Sequence, residues 1–341
     1  MPSQEATSRH YTDYTDDAAT RNEIVMMPRT ASLIALALLA ALAGGCGSRH
    51  GSASGDAALK EAEQFRAKHE ASYRKEYVPL AGLFFLNPGT NTVGSAAGND
   101  VLLPARAPAS IGVFVLDASR VRFEPKPGVN VMVHAQPVTN AIELKSDDHV
   151  NSEGKRDGPD ELTVGTIAFW VHPSGERNAI RMRDEEGEVA RSFEGFHWFP
   201  IDPAYRVVGR FIKDPAPHEF HTVNQLGDDE VYKTEGVVEF TLNGETARMR
   251  PATTKPGRLY FIFRDGTSGK ETYETARFLY SDLKDDGTTV LDFNEAYNPP
   301  CSFNPFTTCP LPIPENRLKV RILAGEKAYP HPPGHTSRPA P

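Results

Sequence analysis

The chain reads as a mainly β protein, with two β domains in series behind one short N-terminal helix. Three observations predict this. After residue 75 no long segment carries the apolar spacing of a helix. Short apolar runs take its place, cut by Asn-Pro-Gly, Gly-Ser and Asn-Gly. "GVVEFTLNGETARMR" sets Asn243–Gly244 between two alternating runs, the strongest short-range hairpin signal.

Taken in order, the first elements concern address. Residues 26–45 hold Arg29, an apolar run at 33–43 and small residues ahead of Cys46. A membrane span needs about 20 apolar residues, and this run is shorter. The segment resembles a bacterial lipoprotein signal peptide, with cleavage before Cys46 and lipid, palmitate included, on the mature N-terminal cysteine. Ala43 departs from the Leu or Val usual in that motif. Residues 1–25 are polar and without apolar period, and a signal peptide works at a true N-terminus. Translation is therefore expected to start at Met26 or Met27, leaving 1–25 as a misplaced extension. Gly47 stands where inner-membrane retention commonly uses Asp, so the expected location is the cell envelope, lipid-anchored at the outer membrane and facing the periplasm.

Residues 46–56 are Gly/Ser-rich and read as a flexible tether. Residues 57–75 contain helix formers without Pro or Gly, and Leu59, Ala62, Phe65 and Ala67 make an apolar stripe. A helix lying on the first β domain is expected. That domain is placed at 76–190, where "TVGTIAFWVHPSGERNAIRMRD" reads as two strands around Ser174–Gly175. The second is placed at 191–330, as a sandwich or small barrel. "GRLYFIF" is apolar on both faces there, which predicts a central strand. The Pro-rich tail at 331–341 reads as disordered.

Composition excludes several functions. The 341-residue chain carries a net charge of −8, which speaks against nucleic-acid binding. It has no GxxxxGK[ST], no GxGxxG after a strand, no GxSxG and no Cys–His pair, so no cofactor and no nucleophilic motif is predicted. His218 and His221 are spaced unlike a zincin pair, and no metal site is expected. Of the three cysteines, Cys46 is assigned to lipid, and the even remainder invites one disulfide, Cys301–Cys309. A metal site at these two lacks a second CxxC or a nearby His.

"FRDGTSGKETYETARFLY" at 263–280, "LDFNEAYNPPCSFNPFTTCPLPIPENRL" at 291–318 and "AGEK" at 324–327 resemble a bacterial family known only as domain of unknown function 1684. "LAGLFFLNPGTNTVGSAAGNDVLLP" at 80–104 is similar to that family's N-terminal part. The resemblance implies no activity. "GTNTVGSAAGNDVLLP" also resembles the start of a forkhead-associated domain, which implies a β-sandwich topology for the first domain. Ser95 stands where that fold's phosphate-clamping Arg follows the Gly, so phosphothreonine recognition is not expected.

One polar constellation is a candidate for chemistry. Asp265 follows an apolar strand; Thr267 and Ser268 sit in the turn; Tyr273, Thr275 and Arg277 share one face if the returning segment is a strand. Asp292 and Asn294 end the next strand, and Tyr297 and Asn298 follow. If these strands are neighbours, the residues meet at one end of a sheet. There they bind a small polar ligand, or Asp265, Asp292, Tyr273 and Arg277 do hydrolase-type acid–base work. An Arg–Asp pair that only braces strands and loops is the structural alternative. His197, Trp198 and Glu326 are further pocket candidates. The segment from Pro299 to Pro314 is too rich in proline for a central strand. It reads as a rigid strap that closes the second core or walls a pocket. A lipid-anchored binding or scaffolding module is the expected function, with the membrane and a small polar ligand or an envelope protein as partners.

Overall fold

A computed structural model describes residues 53–330. Cys46, the signal segment, most of the tether and the tail after residue 330 lie outside the described residues. The described chain is mainly β, as its patterning predicts. Its sheets are open and pack face to face, with no closed barrel among the described residues, so the sandwich alternative holds. No described helix is long and apolar enough to cross a membrane.

Helix α1 (Ala53–Glu76) begins four residues before the predicted start. It takes in Ser54, Gly55 and Asp56, and the acidic Asp56 in the first turn suits the positive end of the helix dipole. It stops where the amides of Tyr77 and Val78 both bond to the Tyr73 carbonyl, just ahead of Pro79.

The first pair of sheets follows. A six-stranded sheet centres on the hairpin Ile167–Ser174 and Arg177–Arg183, turning after Ser174 as predicted. A five-stranded sheet centres on Gly89–Gly94, Gly112–Asp117 and Arg120–Pro125. Inward residues of both, among them Phe114, Phe123, Phe169, Ile180 and Met182, form one core.

The second pair joins a four-stranded sheet to a three-stranded one. The former holds two long strands, Arg206–Val223 and Asp229–Leu242, flanked by Glu245–Met249 and Thr288–Asp292. Asn243 (φ 53°) and Gly244 (φ 80°) form the hairpin tip, both in the left-handed region that this turn requires. The latter sheet places Arg258–Phe263 between Ala252–Lys255 and Arg277–Asp282. Its central strand is buried on both faces. Leu259, Phe261 and Phe263 enter the core shared with Phe240 and Phe293. Tyr260 and Ile262 point the other way, into an aromatic layer with Phe278, Tyr297 and Phe303.

That aromatic layer corrects one expectation. Helix α1 lies on the second pair of sheets, not on the first. Phe65 and Tyr73 pack against Tyr297 and Phe303, and Arg66 donates to the carbonyls of Asn294 and Phe199. Periodicity reveals that a helix has an apolar face but not which distant surface covers it.

Candidate functional site

Most of the predicted polar residues are hydrogen-bonded, but in separate groups. Asp265 and Arg277 form the first. Arg277 Nη1 is 2.7 Å from Asp265 Oδ2, and both side chains are 0 % exposed. The other carboxylate oxygen accepts from the amide and hydroxyl of Thr267 and from the Ile322 amide. Arg277 also donates to the carbonyls of Ile322 and Ala324. Thr267 shares a hydroxyl contact of 2.8 Å with Thr272, and Ser268 Oγ accepts from the Asp265 amide. The group ties the turn at 265–269 to the segment 322–324. It is a brace sealed from solvent.

Asp292 and Asn294 form a second group. Their relation is not the strand alternation expected, because Thr288–Asp292 ends at Asp292 and a 3-10 turn, Phe293–Glu295, follows. Asp292 caps that turn, accepting from the Asn294 amide at 3.0 Å, and pairs with Arg206 at 2.7 Å. Asn294 in turn bonds to both backbone groups of Asp202. Beside them, burial and the neighbouring Asp292 push the Glu295 carboxyl up to about 7, against the pull of Arg206.

Asn298 and Tyr297 belong to a third group. Asn298 donates through its amide and its Nδ2 to buried Glu326, each at 2.9 Å. His69 of α1 lies 3.7 Å from the same carboxylate, ringed by Phe65, Tyr73, Phe196, Trp198 and Tyr297. Glu326 and Trp198 are thus packed beneath the helix rather than lining an opening. Tyr273 stands apart again, accepting from Gln225 Nε2 at 2.7 Å and donating to the Cys301 carbonyl at 3.3 Å. It precedes the strand that starts at Arg277, so the shared face predicted for Tyr273, Thr275 and Arg277 does not form. Among the described residues no hydrogen bond joins Asp265 or Tyr273 to Asp292. The acid–base constellation therefore does not assemble.

The strap is held at many points. A disulfide joins Cys301 and Cys309. Phe303 is buried in the aromatic layer, and Asn304 Nδ2 donates to the carbonyls of Tyr77 and Leu80, both at 2.8 Å. Leu311 bonds through its amide to the Val223 carbonyl, and its own carbonyl accepts from Thr222 Oγ1 at 2.6 Å. The strap closes the aromatic layer, and its far half forms one wall of an opening.

That opening is a cleft of about 290 Å³ lined by Arg264, Glu274, Thr275, Leu311, Pro312 and Arg317. Arg264 directly precedes the sealed Asp265. Arg264, just past the strand Arg258–Phe263, and Arg317 are brought side by side by a parallel bridge, with the Leu318 amide bonded to the Arg264 carbonyl at 2.8 Å. Arg264 and Thr275 lie in the segment that sequence reasoning singled out. Leu311 and Pro312 belong to the strap that the sequence offered as a pocket wall, and Arg317 reaches the site only through folding.

A further cluster escaped the sequence reading. His172 Nδ1 lies 2.8 Å from Asp147 Oδ2, and His172 Nε2 lies 3.2 Å from Thr308 Oγ1 of the strap. These distances mimic a carboxylate–imidazole–hydroxyl relay. Arg181 Nη2, however, sits 2.7 Å from the same Nε2. A guanidinium can only donate, so it occupies the lone pair that a general base would use. Burial, then Arg181, depress the His172 pKa, with Asp147 opposing. The cluster fastens the strap to the first pair of sheets with a neutral imidazole. Elsewhere in that pair, the Ser95 hydroxyl donates to the Ala107 carbonyl at 2.6 Å.

These features define a class: a mainly β protein of open, face-to-face sheets, with a disulfide-closed strap and a small polar cleft. Residues 191–327 match the model of the family described as protein of unknown function (DUF1684). It is also similar to the solution NMR structure of an uncharacterized protein from Haloarcula marismortui. Identity is 30 % over 41 % of this chain and 80 % of that one, with a TM-score of 0.35. Comparison with curated proteins found no match.

Proposed function

We propose that this protein is a binding module of the cell envelope, held there by lipid on Cys46, whose ligand seats in the cleft beside the strap. The cleft carries this reading. Its walls bring together Arg264, Glu274 and Thr275, whose side chains make no hydrogen bond or ion pair among the described residues. The buried charged groups of the second pair of sheets are satisfied internally, as Arg277, Asp292 and Glu326 show. Unspent polar groups converging on a concave site are what a small-molecule site requires. The anchor reading rests on the signal-like segment before Cys46. The first pair of sheets, read as forkhead-associated-like, serves as scaffold, since Ser95 turns its hydroxyl to the protein's own backbone.

A thermal-shift screen tests the binding reading. The full-length protein, solubilised in detergent, is melted against a panel of metabolites and glycans beside its Arg264→Ala variant. The expected result is a compound that raises the wild-type melting point and leaves the variant, equally folded, unmoved. No response across the panel, or equal responses in both proteins, would remove the cleft from consideration.

A further inference from the structure

The chemistry of the cleft also narrows the class of its ligand, an inference that rests on the binding reading above. We infer that the cleft takes a small organic anion: a carboxylate or phosphate head facing Arg264 and Arg317, and an apolar part against Leu311 and Pro312.

Charge points to the head group. The chain as a whole is acidic, at −8, yet this cleft presents two guanidinium groups and one carboxylate. The guanidinium of Arg264 is half-buried and has no partner among the described residues. By contrast Arg206 and Arg250 each hold carboxylates. Arg317 makes one long contact, Nε to the Pro312 carbonyl at 3.4 Å, which leaves both its terminal nitrogens open. Guanidinium forks match the planar geometry of carboxylate and phosphate oxygens, and bonds to such charged acceptors are among the strong ones. Thr275 adds a hydroxyl that no other described group uses.

Glu274 refines the specificity. It lines the same cleft but forms no ion pair with either arginine among the described residues. A second anionic group on the ligand would meet its carboxylate unfavourably, whereas a hydroxyl or ammonium would be accepted. The wall is apolar and preformed. Leu311 and Pro312 follow the disulfide at Cys309 after Pro310, and Leu311 is fixed through both its backbone groups. A volume of about 290 Å³ suits a metabolite-sized acid rather than an oligomer.

Calorimetric titration of the full-length, detergent-solubilised protein tests this with defined probes. Hexanoate presents a carboxylate with an apolar tail, hexyl phosphate presents the phosphate head, and hexylammonium reverses the charge. The expected result is binding of hexanoate, hexyl phosphate or both. It should weaken by about tenfold or more in Arg264→Ala and in Arg317→Ala, as the loss of a charge-assisted contact predicts, and tighten in Glu274→Gln. The stronger of the two anions identifies the head group. Melting curves confirm that the variants are folded. Hexylammonium binding as tightly as the anions, or anion binding that ignores both arginines, would overturn the anion inference while leaving a binding cleft in place. If no probe binds and the metabolite panel is also silent, the inference and the binding reading fall together.

Discussion

Arg277 shows how far residue type alone can mislead. A guanidinium near two aspartates and a tyrosine has the composition of an active site. In the fold it is 0 % exposed, pairs with Asp265 and closes carbonyls of the segment 322–324. Taking two charges out of water costs several kcal/mol per ion, and only close geometry with further hydrogen bonds offsets it. Removing one partner leaves the other charge buried without compensation. Asp265→Asn and Arg277→Ala are therefore expected to destabilise by about 3–5 kcal/mol each, read from urea unfolding midpoints. Neither should abolish ligand response in protein that remains folded. A variant that keeps its stability but loses the response would show that the pair serves the ligand. The pairing of Asp265 with Arg277 was half legible, because the two lie on either side of one turn. The partners of Asp292 were not, since Arg206 and Asn294 meet it through a strand pairing and a 3-10 cap that no local period announces.

Among elements, the strap repays the closest attention. Its prolines cannot donate to a ladder and hold the chain extended, so the segment crosses sheets instead of joining them. It touches the end of α1 and the start of the strand Leu80–Phe85 through Asn304, the first pair of sheets through Thr308, and the long strand Arg206–Val223 through Leu311. The disulfide closes a loop between residues 8 apart in sequence. By loop entropy it stabilises by about 2–3 kcal/mol. Cys301→Ser with Cys309→Ser is expected to lower stability by that amount. It should also weaken any ligand of the cleft, because Leu311 and Pro312 lose a fixed end. Unfolding curves and the titration above, with and without reductant, check both. A reduced protein with unchanged stability and affinity would make the bridge incidental. Two other elements were readable in advance. The Asn243–Gly244 tip and the doubly buried strand Arg258–Phe263 each depend on chemistry within a few residues, namely positive φ and alternation.

The described residues begin with α1 at Ala53, only seven positions after Cys46, and α1 is bolted to the second pair of sheets through Arg66, His69 and Tyr73. A lipid on Cys46 would hold that pair of sheets, cleft included, close to a membrane surface. Metabolic labelling with an alkyne palmitate is expected to mark the wild-type chain in the membrane fraction and to miss Cys46→Ala, which should appear in the soluble fraction. Label retained by the variant, or an unlabelled wild type, would end the anchor reading. By itself the sequence determined what depends on neighbours along the chain: a mainly β character, the hairpin tips, a helix ahead of the strands and a cysteine pair open to bridging. Only the tertiary structure decided which surface α1 covers, that the conspicuous Asp–Arg pair is sealed as a brace, and that Arg264, Thr275 and Arg317 meet across the strap to open a cleft. The physical reason is one of range. Backbone conformation and side-chain alternation are set within a few residues, whereas burial and partnership depend on contacts between segments tens to hundreds of positions apart, which local patterns do not encode.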